Sequence, residues 1–171
     1  HVTISSWRRS PEMILPREDA KLRALPADLQ VKPVRNVDEL RTWAHVGSVG
    51  LEMGDPNYFG RMASPEGLAS SAITYYVGWN SGRAVATSAS YVSKGIAGVY
   101  GVSTLPEVRG RGYGEAMSAA AVQDGFSKGC STSSLQASHT GFPVYFRMGF
   151  RRIFDYEHWV VPHKSLDVRK S

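Results

Sequence analysis

Cysteine is almost missing: Cys130 is the only one among 171 residues. No internal disulfide can form, and no Cys/His group has the spacing of a zinc site, so no metal is expected. A reducing, cytoplasmic setting fits that scarcity. Long apolar runs are missing too. None approaches the roughly 18 residues of a membrane span, and the N-terminal stretch lacks the apolar segment of a secretory leader, so a soluble protein is expected. There is no internal repeat and no low-complexity tract. Acidic residues are the minority, 15 against 20 Lys and Arg, giving a net charge of +5 and a pI near 9.5. That balance suits an anionic partner, either nucleic acid or a small phosphorylated ligand. The basic residues are spread along the chain, and "RGRGYG" lacks the aromatic spacing of the common RNA-binding motif, which makes nucleic acid the weaker choice.

What is present is the composition of one globular domain, 42% hydrophobic and 20% charged. Residues 1–28 mix charges, prolines and a few large apolar residues without period, and read as an irregular N-terminal arm with room for one strand. Residues 29–171 read as the domain. "LQVKPVRN" predicts a strand and "NVDELRTWAHV" a helix, capped by Asn36 with Asp38 and Glu39 in its first turn. The glycine-rich segment from Gly47 to Ser71 is the place for a lid, with a short helix after Ser64-Pro65-Glu66. "ITYYVGW" and "RAVATSASYV" read as a hairpin turned at "NSG", where Asn80 and Gly82 tolerate positive φ. "AGVYGVST" adds an antiparallel partner. The run "EAMSAAAVQDGFSKG" predicts a helix with a small-residue face, "STSSLQA" a strand, "FPVYFRM" a short helix and "FRRIFDYEHWVV" a long last strand. Together these predict an α/β (α+β) domain with a mixed, mostly antiparallel central sheet and helices on both faces.

The glycine run "RGRGYG" stands between the strand "GVYGVST" and a helix. The first N–H groups of a helix have no partner within it, and with the macrodipole they favour an anion. Glycines let several amides converge and keep side chains out of the way. Arg109 and Arg111 add charge, so the stretch reads as a pyrophosphate holder. A triphosphate loop is excluded because Gly114 is followed by Glu115 and Ala116 rather than Lys and Ser or Thr. A dinucleotide fingerprint is excluded because the run follows hairpins.

R-x-x-G-x-G (Arg109, Gly112, Gly114), preceded by V-x-T-x-P (Val102, Thr104, Pro106), resembles the acyl-CoA-binding motif of the GNAT superfamily of N-acetyltransferases. "YFRMGF", Tyr145 to Phe150, is similar to that family's Y-x-x-x-G-F. The resemblance covers about residues 30 to 161, the first half only by the order of its strands and helices. It implies that backbone amides of Gly110, Arg111, Gly112, Tyr113, Gly114 and Glu115 bind the pyrophosphate of coenzyme A. It implies equally that the backbone of Val102 and Thr104 pairs with the pantetheine arm, and that Tyr145 protonates the departing thiolate. Where many relatives place an Asn that bonds the cofactor this chain has Ser138, and Gly141 stands where Ala is common.

The implied activity is transfer of an acetyl group from acetyl-CoA to a primary amine of a small molecule or peptide. A non-catalytic acyl-CoA binder of the same fold is the alternative, since Gly98, Tyr100 and Val102 on the central strand offer no base near neutral pH. His139, Asp155, Glu157 and His158 are the remaining base candidates, and none is assigned. Tyr75, Tyr76, Trp79, Tyr91 and Tyr100 read mostly as core. The lack of an acidic cluster argues against polyamines. No membrane partner is expected, and a homodimer is allowed.

Overall fold

The structure, a computed structural model, describes residues 6–61 and 63–160. Among them seven strands form one sheet: β1 (Ser6–Pro16), β2 (Gln30–Pro33), β3 (Ile73–Asn80), β4 (Arg83–Ser93), β5 (Ile96–Thr104), β6 (Thr132–Gln136) and β7 (Arg151–Val160). Four helices accompany it: α1 (Val37–Gly50), α2 (Pro65–Ala69), α3 (Tyr113–Ser127) and α4 (Phe142–Arg147). The strand order is β2-β3-β4-β5-β6-β1-β7, antiparallel throughout except for β5 beside β6. None of the described helices is long and apolar enough to cross a membrane.

The hairpins follow from local chemistry. Two-residue turns joining β3 to β4 and β4 to β5 need positive φ at both central positions, and these are Ser81 and Gly82, then Lys94 and Gly95. Asn80 is therefore not a turn residue. It ends β3 paired with Arg83, and its amide donates to the Asp28 carbonyl at 2.9 Å.

The Asn36 side chain caps α1 by accepting the Glu39 N–H at 2.9 Å, and Glu39 reaches back to the Arg35 N–H at 2.7 Å. This helix runs on through Gly47, Ser48 and Gly50, which the sequence pattern assigns to a loop. Those small residues are buried: a Cβ on Gly47 would lie 3.3 Å from the Phe59 ring, and one on Gly50 2.8 Å from the Ser103 hydroxyl of β5. Close packing outweighs their poor helix propensity.

Residues 6–16 of the expected arm form a strand inside the sheet, between β6 and β7. Its alternation is short, with Met13 and Leu15 fully buried and Glu12 and Ile14 on the opposite face. Met13 and Leu15 join Val99, Val122, Leu135 and Met148 beneath α3 and α4, while Leu40, Trp43, Tyr75 and Val77 form the core beneath α1. Of the tyrosines expected in the core only Tyr75 is buried; Tyr91 and Tyr100 are exposed.

Two irregularities of β5 shape the centre of the molecule. Its parallel pairing with β6 covers only Ile96–Gly98 against Thr132–Ser134, and beyond that the strands part. Its pairing with β4 slips between Thr87 and Ala89, at a bulge where Gly101 takes φ +56°. Any side chain at Gly101 would meet the Trp43 ring at 2.8 Å, so both conformation and space require glycine there. Thr87 Oγ1 donates to the Gly101 carbonyl at 2.8 Å and contacts Ser103 Oγ at 2.7 Å, fixing the bulge from below.

Candidate active site

The chain leaves β5 through a tight turn at Pro106–Val108 and enters α3 through Gly110 and Gly112, at φ +82° and +81°. These left-handed positions curl the backbone where a Cβ would be strained. No side chain caps α3, so the amides of its first turn face outward without an intrahelical partner. They border a cleft of about 680 Å³ that runs along the end of β5 to α4. Val102, Thr104, Arg109, Gly110, Gly112, Tyr113, Gly114, Glu115, Ser138 and Tyr145 all line it. Arg111, alone of the sequence-predicted residues, does not.

The side chains of the glycine run have partners within the protein. Arg109 donates to the Gly50 carbonyl at 2.9 Å and pairs with Glu52 at 3.1 Å, so its charge sits at the C-terminal end of α1, where the helix dipole is negative. Arg111 reaches the Tyr113 hydroxyl. Tyr113 itself is buried, its phenol donating to Asp28 Oδ2 at 2.6 Å. Arg109 thus stays at the cleft with Gly50 and Glu52, which also line it, whereas Arg111 does not border it. Two further arginines do: Arg23, from the segment after β1, and Arg147, at the end of α4. Both line the cleft, and Glu115 holds them at 3.5 and 3.6 Å.

Tyr145 is almost fully buried, edge-on to Phe150 at 5.8 Å. Its hydroxyl meets Ser118, whose own Oγ donates to the Gly114 carbonyl at 2.8 Å. Burial pushes the phenol pKa up and the Ser118 contact partly opposes this. The ring also explains Gly141, since a Cβ there would meet it at 2.8 Å. Ser138 Oγ accepts the Gly141 N–H at 3.0 Å and so caps the turn into α4.

The base candidates fare differently. Asp155 is paired with Arg152 and Glu157 with Arg9, while His139 is exposed on the turn before α4. Reading the sequence passed over Glu12, which lies on β1 opposite Gln136 and Phe154, half-buried and with its pKa raised by desolvation. The alternation Glu12-Met13-Ile14-Leu15 was the available signal, hidden by the prolines on either side. Among the described residues no group of His, Cys, Asp and Glu is placed to hold a metal ion.

The sequence model of the family described as an acetyltransferase (GNAT) domain matches residues 60–153. No curated protein matches the chain. Among solved structures it is similar to a GCN5-related N-acetyltransferase from Kribbella flavida, at 24% identity and a TM-score of 0.72 over 96% of this chain and 61% of that one. It is similar as well to a GCN5-related N-acetyltransferase from Sphaerobacter thermophilus, at 18% identity and a TM-score of 0.70 over 95% and 55%. The chain thus spans less than two thirds of the length of both proteins. A shorter relative, from Ralstonia eutropha JMP134, matches at 22% identity and a TM-score of 0.57 over 71% of this chain and 91% of its own. At these identities the likeness carries the fold, and the sequence match carries the family: the chain belongs to the GNAT acetyltransferases.

Proposed function

We propose that this acyltransferase moves an acetyl group from acetyl-CoA directly to a primary amine of a small molecule or peptide, in the cytoplasm. The observation that carries this reading is the continuity of the cleft: uncapped amides of α3 at one end, the unpaired edge of β5 along its side, and Tyr145 at the other end. The fit to a thioester of coenzyme A is chemical. A diphosphate matches the amides of Gly110 to Glu115. The Leu105 N–H is spent on the Val85 carbonyl at 2.9 Å, so by strand alternation that of Thr104 turns toward the cleft, where, with Val102 at the bulge, an amide-bearing arm can pair as an added strand. Arg23, Arg109 and Arg147 border the cleft and supply countercharge.

In the transfer the amine nitrogen attacks the thioester carbonyl, the carbon–sulfur bond breaks, and the sulfur takes a proton from Tyr145. A phenol whose pKa is raised stays protonated at neutral pH and is available for that role. Amides near the β5 bulge can stabilise the oxyanion. Ser138 is assigned to hold the turn that seats Tyr145 and to offer its hydroxyl to the co-substrate.

Calorimetric titration with acetyl-CoA, followed by thiol release with a panel of amines, tests the reading. Binding with turnover supports it. Binding without thiol release from any amine would make the chain a non-catalytic binder, and no binding would remove the site altogether.

A further inference from the structure

The sheet face opposite α3 is only partly covered. α1 and α2 pack over β3 and β4, and beyond them an aromatic strip stands open among the described residues. Tyr91 of β4, Tyr100 of β5, and Phe154 and Tyr156 of β7 are 40% to 56% exposed. Register puts them on one side: Tyr91 lies opposite Gly98, Gly98 opposite Ser134, Ser134 opposite Ile14, and Glu12 opposite Phe154. A Cβ on Gly98 would meet the Tyr100 ring at 2.5 Å, so that ring folds back over Gly98 and lies along the strip. Phe154 and Tyr156 stand edge to face at 5.0 Å.

Glu12 is the carboxylate of this strip, and it makes no hydrogen bond or ion pair with any described residue. The titratable groups that share its face are Tyr91, Tyr100 and Tyr156, with Arg151 and His158 farther along β7; β6 contributes the neutral Ser134 and Gln136. A half-buried carboxylate without a partner, set among ring faces, is matched by an organic ammonium ion, which gains both a charge-assisted hydrogen bond and cation–π attraction. Position supports the same reading. Tyr100 and Gln136 each lie two residues before a cleft residue, Val102 and Ser138, so strip and cleft adjoin where β5 and β6 part.

We infer that the strip of Tyr91, Tyr100, Phe154 and Tyr156 seats the acceptor, a monocation with an apolar or aromatic body, and that Glu12 takes the proton from its ammonium group. This rests on the acetyl-transfer reading above. The protonated amine gives one proton to the Glu12 carboxylate, and its freed lone pair forms the carbon–nitrogen bond as the carbon–sulfur bond breaks. The second nitrogen-bound proton passes through solvent and replaces the one Tyr145 gives to sulfur, so one proton is released per turnover. A single carboxylate selects one charge, which disfavours polyamines.

The test is thiol release from acetyl-CoA with β-phenylethylamine and with spermidine, for wild type, Glu12→Gln, Glu12→Asp and Tyr100→Ala. Expected are preference for phenylethylamine, a loss of roughly 10²–10⁴-fold in kcat/KM for Glu12→Gln with its acidic pH limb abolished, and partial recovery in Glu12→Asp. Tyr100→Ala should raise KM for the amine. Acetyl-CoA affinity, read by calorimetry, stays as in wild type and reports that each variant is folded. Preference for spermidine, or full activity and an intact acidic limb in Glu12→Gln, overturns the inference while leaving acetyl transfer standing. Absence of thiol release from every amine overturns both, and only in that case does the acetyl-transfer reading fall.

Discussion

The indole Nε1–H of Trp43 donates to the carbonyl oxygen of Ser88 at 2.8 Å. Ser88 lies in β4 opposite Tyr76 of β3, where the pairing with β5 slips. A helix on one face is thus tied to the strand backbone beside the bulge. Ser88 Oγ binds the other face, donating to the Met117 carbonyl of α3 at 2.8 Å. The bulge beside the cleft is held from both layers.

Trp43→Phe keeps an aromatic ring but removes that buried hydrogen bond. The expected cost is about 1 kcal/mol of stability, read as a lower midpoint in urea denaturation with the m-value unchanged. An unchanged midpoint would mean that water replaces the indole.

Removing Arg23 or Arg147 should weaken acetyl-CoA binding, and removing Arg111 should not, because only the first two line the cleft. Both side chains are substantially exposed, so each alanine variant is expected to lose only roughly tenfold in affinity, with a shallower salt dependence. Calorimetry at two ionic strengths checks this. Gly112→Asp, which adds bulk and negative charge at the mouth of α3, should lose more.

Tyr145→Phe should lower turnover by roughly 10²–10⁴-fold with acetyl-CoA affinity nearly unchanged. Since burial lifts the phenol above its usual 10.0, the wild-type rate should show no loss of the proton donor until pH exceeds that value. Unchanged turnover in the variant would take Tyr145 out of the mechanism.

Glu12→Gln also has a stability signature. Desolvation raises the carboxyl pKa in the folded chain, so the stability associated with the protonated form is complete below the unfolded value near 4.5 and is lost as pH rises through the folded value. The variant should therefore melt higher than wild type at neutral pH and alike at acidic pH. Equal melting at both would mean that the carboxylate is well solvated.

Ser90 Oγ is buried without a partner. Ser90→Ala should be neutral or slightly stabilising in thermal melting, because it deletes an unsatisfied hydroxyl rather than a hydrogen bond. A clear loss of stability would point to a partner at that oxygen.

The sequence alone determined whatever is encoded between near neighbours. Two-residue turns, the Asn36 cap, the glycines ahead of α3 and the Tyr145–Phe150 motif are each local rules, and they marked out the hairpins, the anion end of the cleft and the family. Tertiary structure decided what depends on distant partners: the insertion of β1 between β6 and β7, the extension of α1 over buried glycines, the placing of Arg23 and Arg147 at the cleft and of Arg111 outside it, and the open face carrying Glu12. The physical reason is that a side chain's neighbours across a sheet come from unrelated parts of the chain, and long charged side chains go to whichever carbonyl or carboxylate packing leaves unpaired.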